Sequence, residues 1–380
     1  MFVGTSLLVA DGQEYAYLGA SALQSDMTPP EVILDRWVKA QARSHHGFAG
    51  YVGKLDIEKV ASPSFRSFLY FVQEAMNGAL RSENANASGG AEHPPFHFDY
   101  LQVSDGTRNA HAFQHEGFSF IVVTLPLVEL LWDLSQRLSE SPFVLQLLRI
   151  DPVTARAGAL HGLLFVVQLS FLVSHEYTHH VHRHIDQAPE GTAGLWSEFL
   201  RNETNGGIDF QAQEIDADGY ALYLGLANLV RGAGRHSALE QLGLQDMPSI
   251  DADELLLMSF FLALTALFCA LWSENIKMKS IDQLRHPPAP VRIEYAIRIA
   301  QMWSDQNGSV PHSWFSAERF QSLFRAAVAA IGGTAQQAWD ADISFLRSEE
   351  GAKYDRRLSE RFEAIRKMET AAKAVQVAGV

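Results

Sequence analysis

Apolar residues along this chain fall into three kinds of pattern. Residues 96–103 and 118–124 are short runs rich in aromatic and β-branched side chains, which predicts strands. From Leu125 the spacing turns helical and stays so through Ile185; it resumes from Ala212 to Leu229 and from Asp253 to about Lys277. Earlier, helical spacing begins near Glu31, after a short ribbon-like stretch at 6–18. Near the C-terminus, Leu358, Phe362, Ile365 and Met368 recur at steps of three and four among many charges, one apolar stripe on a solvated helix.

Two helical stretches are apolar almost throughout. Residues 255–272 are 18 positions interrupted only by Ser259 and Thr265, the length of a membrane span. Residues 157–174 are similar but hold His161 and Gln168. Turn-rich segments separate the patterns: 82–95 reads as a loop or linker, and 186–213, with Pro189 and four glycines, as a loop-rich excursion. The organisation expected is an N-terminal α/β region over 1–81, a linker over 82–95, a central unit over 96–300 and a helical region over 301–380. The fold class expected is α+β, mainly α, with a small antiparallel or mixed sheet.

Composition narrows the chemistry. Of 380 residues, 47% are hydrophobic and 19% charged, a globular balance, and the formal charge of −14 argues against a general nucleic-acid binder. One cysteine, Cys269, excludes an internal disulfide and any thiolate-built metal site. It also fits a reducing cytoplasm, as does an N-terminus without a basic region before Asp11. A metal site would therefore use histidines, of which there are 15, and carboxylates.

The apolar run at 157–174 leads directly into Ser174-His175-Glu176-Tyr177-Thr178-His179, an H-E-x-x-H motif. Residues four apart on a helix share a face, so His175 and His179 can reach one metal ion, with Glu176 placed to take a proton from water there. Zinc then needs a third ligand. A histidine ten positions after His175 is ruled out, since that position is Ile185. His180, His182 and His184 read as a solvated histidine cluster at the helix end. Glu214 and Asp218, spaced i, i+4 in Glu214-Ile215-Asp216-Ala217-Asp218, are better placed: Glu214 as ligand, Asp218 as acceptor from a ligating imidazole. Asp216 would point elsewhere, as a surface or capping carboxylate. His286-Pro287-Pro288 followed by Arg292 is a rigid turn that could present a histidine, with an arginine to orient it or a nearby carboxylate.

H-E-x-x-H, E-x-x-x-D and H-P-P-x-x-x-R in this order resemble the gluzincin metallopeptidases, closest to the group of CAAX prenyl endopeptidases and HtpX-type membrane peptidases. Arg108-Asn109-Ala110-His111-Ala112-Phe113 before residues 118–123 is similar to that group's Asn-Ala-Phe-Ala segment and edge strand, with the usual order altered by a histidine and an alanine. The resemblance covers roughly residues 100–300 and implies a zincin-like core. It implies one Zn²⁺ held by His175, His179 and Glu214, with Glu176 as general base and Asp218 behind the ligands. It also implies that His286 hydrogen-bonds the oxyanion with Arg292 supporting it. An extended protein or peptide substrate would add to an edge strand at 118–123, with Asn109, Ala110, Phe118 and Phe120 at that site. A looser resemblance, to phage-exclusion Lit-type peptidases, implies one dedicated protein target.

Any membrane span through 157–174 or 255–272 would split these residues between two sides of a bilayer, so both runs are expected to be buried core helices. Peripheral association with an inner membrane stays open. Three functions are open at this point: a zinc metalloendopeptidase, a catalytically silent or tightly regulated zincin-fold binding module, and a helical metal-binding protein using the histidine cluster.

Overall fold

In this computed structural model, residues 28–44, 48–86, 94–151, 158–187, 196–197, 207–271, 281, 284, 286–332 and 335–378 are described. The ribbon read at 6–18 and most of the excursion at 186–213 lie outside them.

The chain begins with α1 (Pro30–Ser44), β1 (Tyr51–Lys54) and α2 (Pro63–Asn86), and α2 extends into the segment read as a loop. Strands β2 (Phe96–Val103), β3 (Ala110–His115) and β4 (Phe118–Thr124) follow. The helical stretch from Leu125 is divided into α3 (Leu125–Glu140), α4 (Pro142–Leu148) and α5 (Ala159–Val181). Pro142 opens α4, and Arg149, in the left-handed region at φ 55°, closes it. Beyond α5 come β5 (Trp196–Ser197), α6 (Ile208–Leu226), α7 (Ala233–Leu242) and α8 (Ser249–Leu271). The chain ends with α9 (Ala289–Asn307), α10 (Ala317–Ile331), α11 (Ala335–Leu346) and α12 (Glu349–Ala378). The fold is α+β and mainly α.

The sheet is mixed, in the order β1-β2-β4-β3-β5. Among the described residues, only the β2–β4 pairing is parallel. Alternation gives it two buried faces. Phe98, Tyr100, Ala110, Ile121 and Val123 join the main helical core, whereas Leu101, Phe113, Phe120 and Val122 pack under α1, where Trp37 stacks on Phe113 with ring centroids 3.9 Å apart.

Both strongly apolar helices, α5 and α8, are long and apolar enough to cross a membrane by length and composition, and both have most of their surface buried within the protein. The polar exceptions in α5 explain how. Gln168 accepts from Ser135 Oγ on α3 at 2.9 Å and donates to the Ala263 carbonyl of α8 at 3.1 Å, so its amide is satisfied inside the bundle. His161, whose pKa burial lowers, lies edge-on to Trp132 at 4.3 Å and 3.2 Å from that residue's carbonyl. On α12, Leu358 and Ile365 of the predicted stripe are buried, and Phe362 packs beside them.

Cys269, near the end of α8, is 7% exposed, and burial pushes its thiol up to about 12 from an ordinary 9. That leaves roughly a thousandfold less thiolate at a given pH. The folded protein is therefore expected to be inert to thiol reagents in mildly alkaline buffer, and to react with one equivalent after unfolding in guanidinium chloride. Rapid labelling of the native chain would show that α8 is not packed in this way.

Candidate metal centre

Helix α5 is apolar on every side, so it is buried on every side, and its last turns carry polar residues into the interior. His175, Glu176 and His179 are all fully buried there. Helix α6 packs against α5 and brings Glu214, also fully buried, to face them. The two imidazole Nε2 atoms lie 3.0 Å apart. Glu214 Oε2 is 3.3 Å from Nε2 of His175, and Oε1 is 3.7 Å from Nε2 of His179.

This donor set can be tested against zinc. Ligands at 2.0–2.1 Å in tetrahedral arrangement stand about 3.3 Å from one another. The three separations, the two to Glu214 taken from its two different oxygens, bracket that value, and nitrogen and carboxylate oxygen are donors zinc accepts. The residues fit the ion.

The surrounding contacts order these groups. His175 Nδ1 donates to Asp218 Oδ1 at 2.9 Å. Asp218 in turn accepts two bonds from Arg292, from Nε at 2.7 Å and from one terminal nitrogen at 2.6 Å, all buried. Arg292 also lies over the Phe268 ring, 4.3 Å from its centroid. The guanidinium thus serves the carboxylate of Asp218. Its helix, α9, packs on α6 beside Gly219, where the end of the Ile299 side chain fills the space a Cβ would take.

His286, just before α9, places Nδ1 2.9 Å from Glu214 Oε2. Burial pushes the Glu214 carboxyl up, but the charge of His286 and hydrogen bonds from His175 and His286 outweigh it and hold it well below the ordinary range. The turn bearing His286 is itself tied down. Gln211 Nε2 on α6 donates to the carbonyls of Ile281 and Leu284, both at 2.7 Å, and Tyr354 on α12 donates to Gln211 Oε1 at 2.5 Å. Neither residue stands out in the sequence, since a lone glutamine and a lone tyrosine carry no spacing signal.

Three expectations are corrected. His180 and His184 are 1% exposed and not a solvated cluster. His180 Nε2 donates to the Phe120 carbonyl at 3.0 Å, fastening α5 to β4. Asp216 is buried rather than on the surface, with Oδ2 2.5 Å from His182 Nδ1 and 3.4 Å from His184 Nε2. The i+2 offset does turn it away from Glu214, but towards the end of α5 and not to solvent.

The edge strand is the third correction. Residues 118–123 form an interior strand, β4, whose backbone is paired with β2 on one side and β3 on the other. Phe118 and Phe120 therefore cannot receive an added strand. Asn109 and Ala110 are fully buried at the start of β3, where Asn109 bonds Thr124. Beyond β3, among the described residues, pairing is limited to His111 with Ser197 and Ala112 with Trp196.

Residues 155–316 match the model of the family Peptidase U49, a segment that holds every proposed ligand and its partners but not β1 to β4. None of the curated proteins and none of the solved structures matches the chain. The match supports a peptidase, a hydrolase acting on protein. It accords with the Lit-type resemblance and leaves the likeness to CAAX prenyl endopeptidases and HtpX-type enzymes resting on motif spacing alone.

Proposed function

We propose that the protein is a zinc-dependent metalloendopeptidase whose ion is held by His175, His179 and Glu214. One observation carries the reading: three buried donors from two helices converge at separations suited to zinc, with Glu176 adjacent on the same helix. When bound, zinc supplies a Lewis acid and lowers the pKa of a water it holds to about 7.

The chain's own residues supply the rest. Glu176 takes the proton from the attacking water and delivers it to the leaving amine. Asp218, fixed by Arg292, keeps the proton of His175 on Nδ1, so that Nε2 presents its lone pair to the ion. His286 holds Glu214 through Nδ1. With that proton committed, Nε2 of His286 can donate to an oxyanion only from the doubly protonated ring. We assign substrate pairing to the side of β3 that faces away from β4, which among the described residues is paired only with β5 at His111 and Ala112. The looser Lit-type resemblance, with which the Peptidase U49 match accords, favours a narrower form of this reading, a single dedicated protein target.

Metal analysis tests it. The purified protein is expected to hold one zinc per chain, His175→Ala and Glu214→Ala to hold none, and chelation to stop hydrolysis until zinc is returned. Wild type that binds no zinc would overturn the reading. Tightly bound zinc without cleavage of any protein would make this a binding module built on the same site.

A further inference from the structure

The contacts behind His179 form a chain with a direction. His179 Nε2 faces His175 and Glu214, while its Nδ1 lies 2.9 Å from Nδ1 of His184. A hydrogen bond between two ring nitrogens holds one proton, so one ring donates and the other accepts. If Nε2 of His179 turns its lone pair to a metal, the proton of that neutral ring is on Nδ1 and is donated to His184. The proton of His184 is then on Nε2, 3.4 Å from Asp216 Oδ2, and the same oxygen receives His182 Nδ1 at 2.5 Å.

His182, His184 and Asp216 could also be read as a second metal group, since their ligand atoms lie within 4.8 Å of one another. To bind an ion, His184 Nε2 must give up its proton to Nδ1. His179 Nδ1 must then accept, and the proton of His179 moves to Nε2, facing the first site. With neutral rings the two groups cannot both be loaded.

We propose that His184 is a positioning residue for His179, anchored by Asp216 and His182, and that this group serves the first metal site instead of holding a second ion. The inference rests on the assignment of His179 as a ligand.

Zinc affinity, measured by competition with a chromophoric chelator on the full-length protein, tests this alongside metal stoichiometry and the visible spectrum of the cobalt-substituted form. Wild type should hold one ion. His184→Ala should hold it about 10–100-fold more weakly, with a shifted cobalt band. His184→Asn, whose amide oxygen falls near the position of Nδ1, should restore most of the affinity. His184→Gln, whose polar atoms fall near Nε2, should not. If His184→Ala does not fold, the contrast between the Asn and Gln variants carries the test. Two ions per wild-type chain, one lost in His184→Ala with the other unaltered, would overturn the proposal, as would a single ion bound equally well by every variant. Wild type without zinc would instead sink the ligand assignment itself.

Discussion

Glu176→Gln is expected to retain one zinc per chain while cleavage falls by about 10²–10⁴-fold, the usual worth of a positioned general base. The substitution is nearly isosteric, so a fully buried site keeps its packing. What it removes is the ability to accept a proton. The three proposed ligands are untouched, and so are the partners that orient them, Asp218 on His175 and His286 on Glu214. Loss of zinc along with activity would mean that Glu176 is itself a ligand. Retained activity would move the base elsewhere. Because the variant should bind substrate without turning it over, the protein that co-purifies with it is also the direct route to the target. A target captured by the variant but left intact by wild type would speak for a binding module.

The helices and strands are legible because their periods are strong. β2 and β4 lie where aromatic and β-branched residues cluster, and α6 and α8 where apolar spacing is helical. β1 escapes such a reading, because Tyr51-Val52-Gly53-Lys54 is short and its glycine and lysine weaken the pattern. Strand order is out of reach altogether. An edge strand and an interior strand can carry the same residues, and only the parallel β2–β4 pairing makes residues 118–124 central.

The site shows the same division. H-E-x-x-H and E-x-x-x-D are readable because four residues return to one helical face. Asp216 and His184 mislead because charge and a position near a helix end usually indicate solvent, whereas here the end of α5 is covered. Sequence leaves the partner of Arg292 open between a histidine and a carboxylate. It is settled by the close approach of α6 and α9 beside Gly219, a contact between segments more than seventy positions apart.

Arg292→Ala is expected to be the most damaging substitution to stability at this site, at about 3–5 kcal/mol, since it strands a buried carboxylate. Arg292 and Asp218 have side chains only 6% and 3% exposed, so water cannot replace the two lost hydrogen bonds. Losing the contact over Phe268 adds to the cost. Arg292→Lys should recover part of it, because an ammonium keeps the charge but not the two-pronged geometry. The decisive comparison is a double-mutant cycle in chemical denaturation. Asp218→Asn combined with Arg292→Met should be less destabilised than the sum of the single changes, because the pair is then replaced without leaving a lone charge. Zinc binding separates this role from mere packing. Asp218→Asn alone should weaken zinc about 10–100-fold through the loosened His175, and Arg292→Ala should do so only through Asp218. Additive stabilities, or zinc affinity indifferent to Asp218, would show that the Arg292–Asp218–His175 chain does not act as a unit.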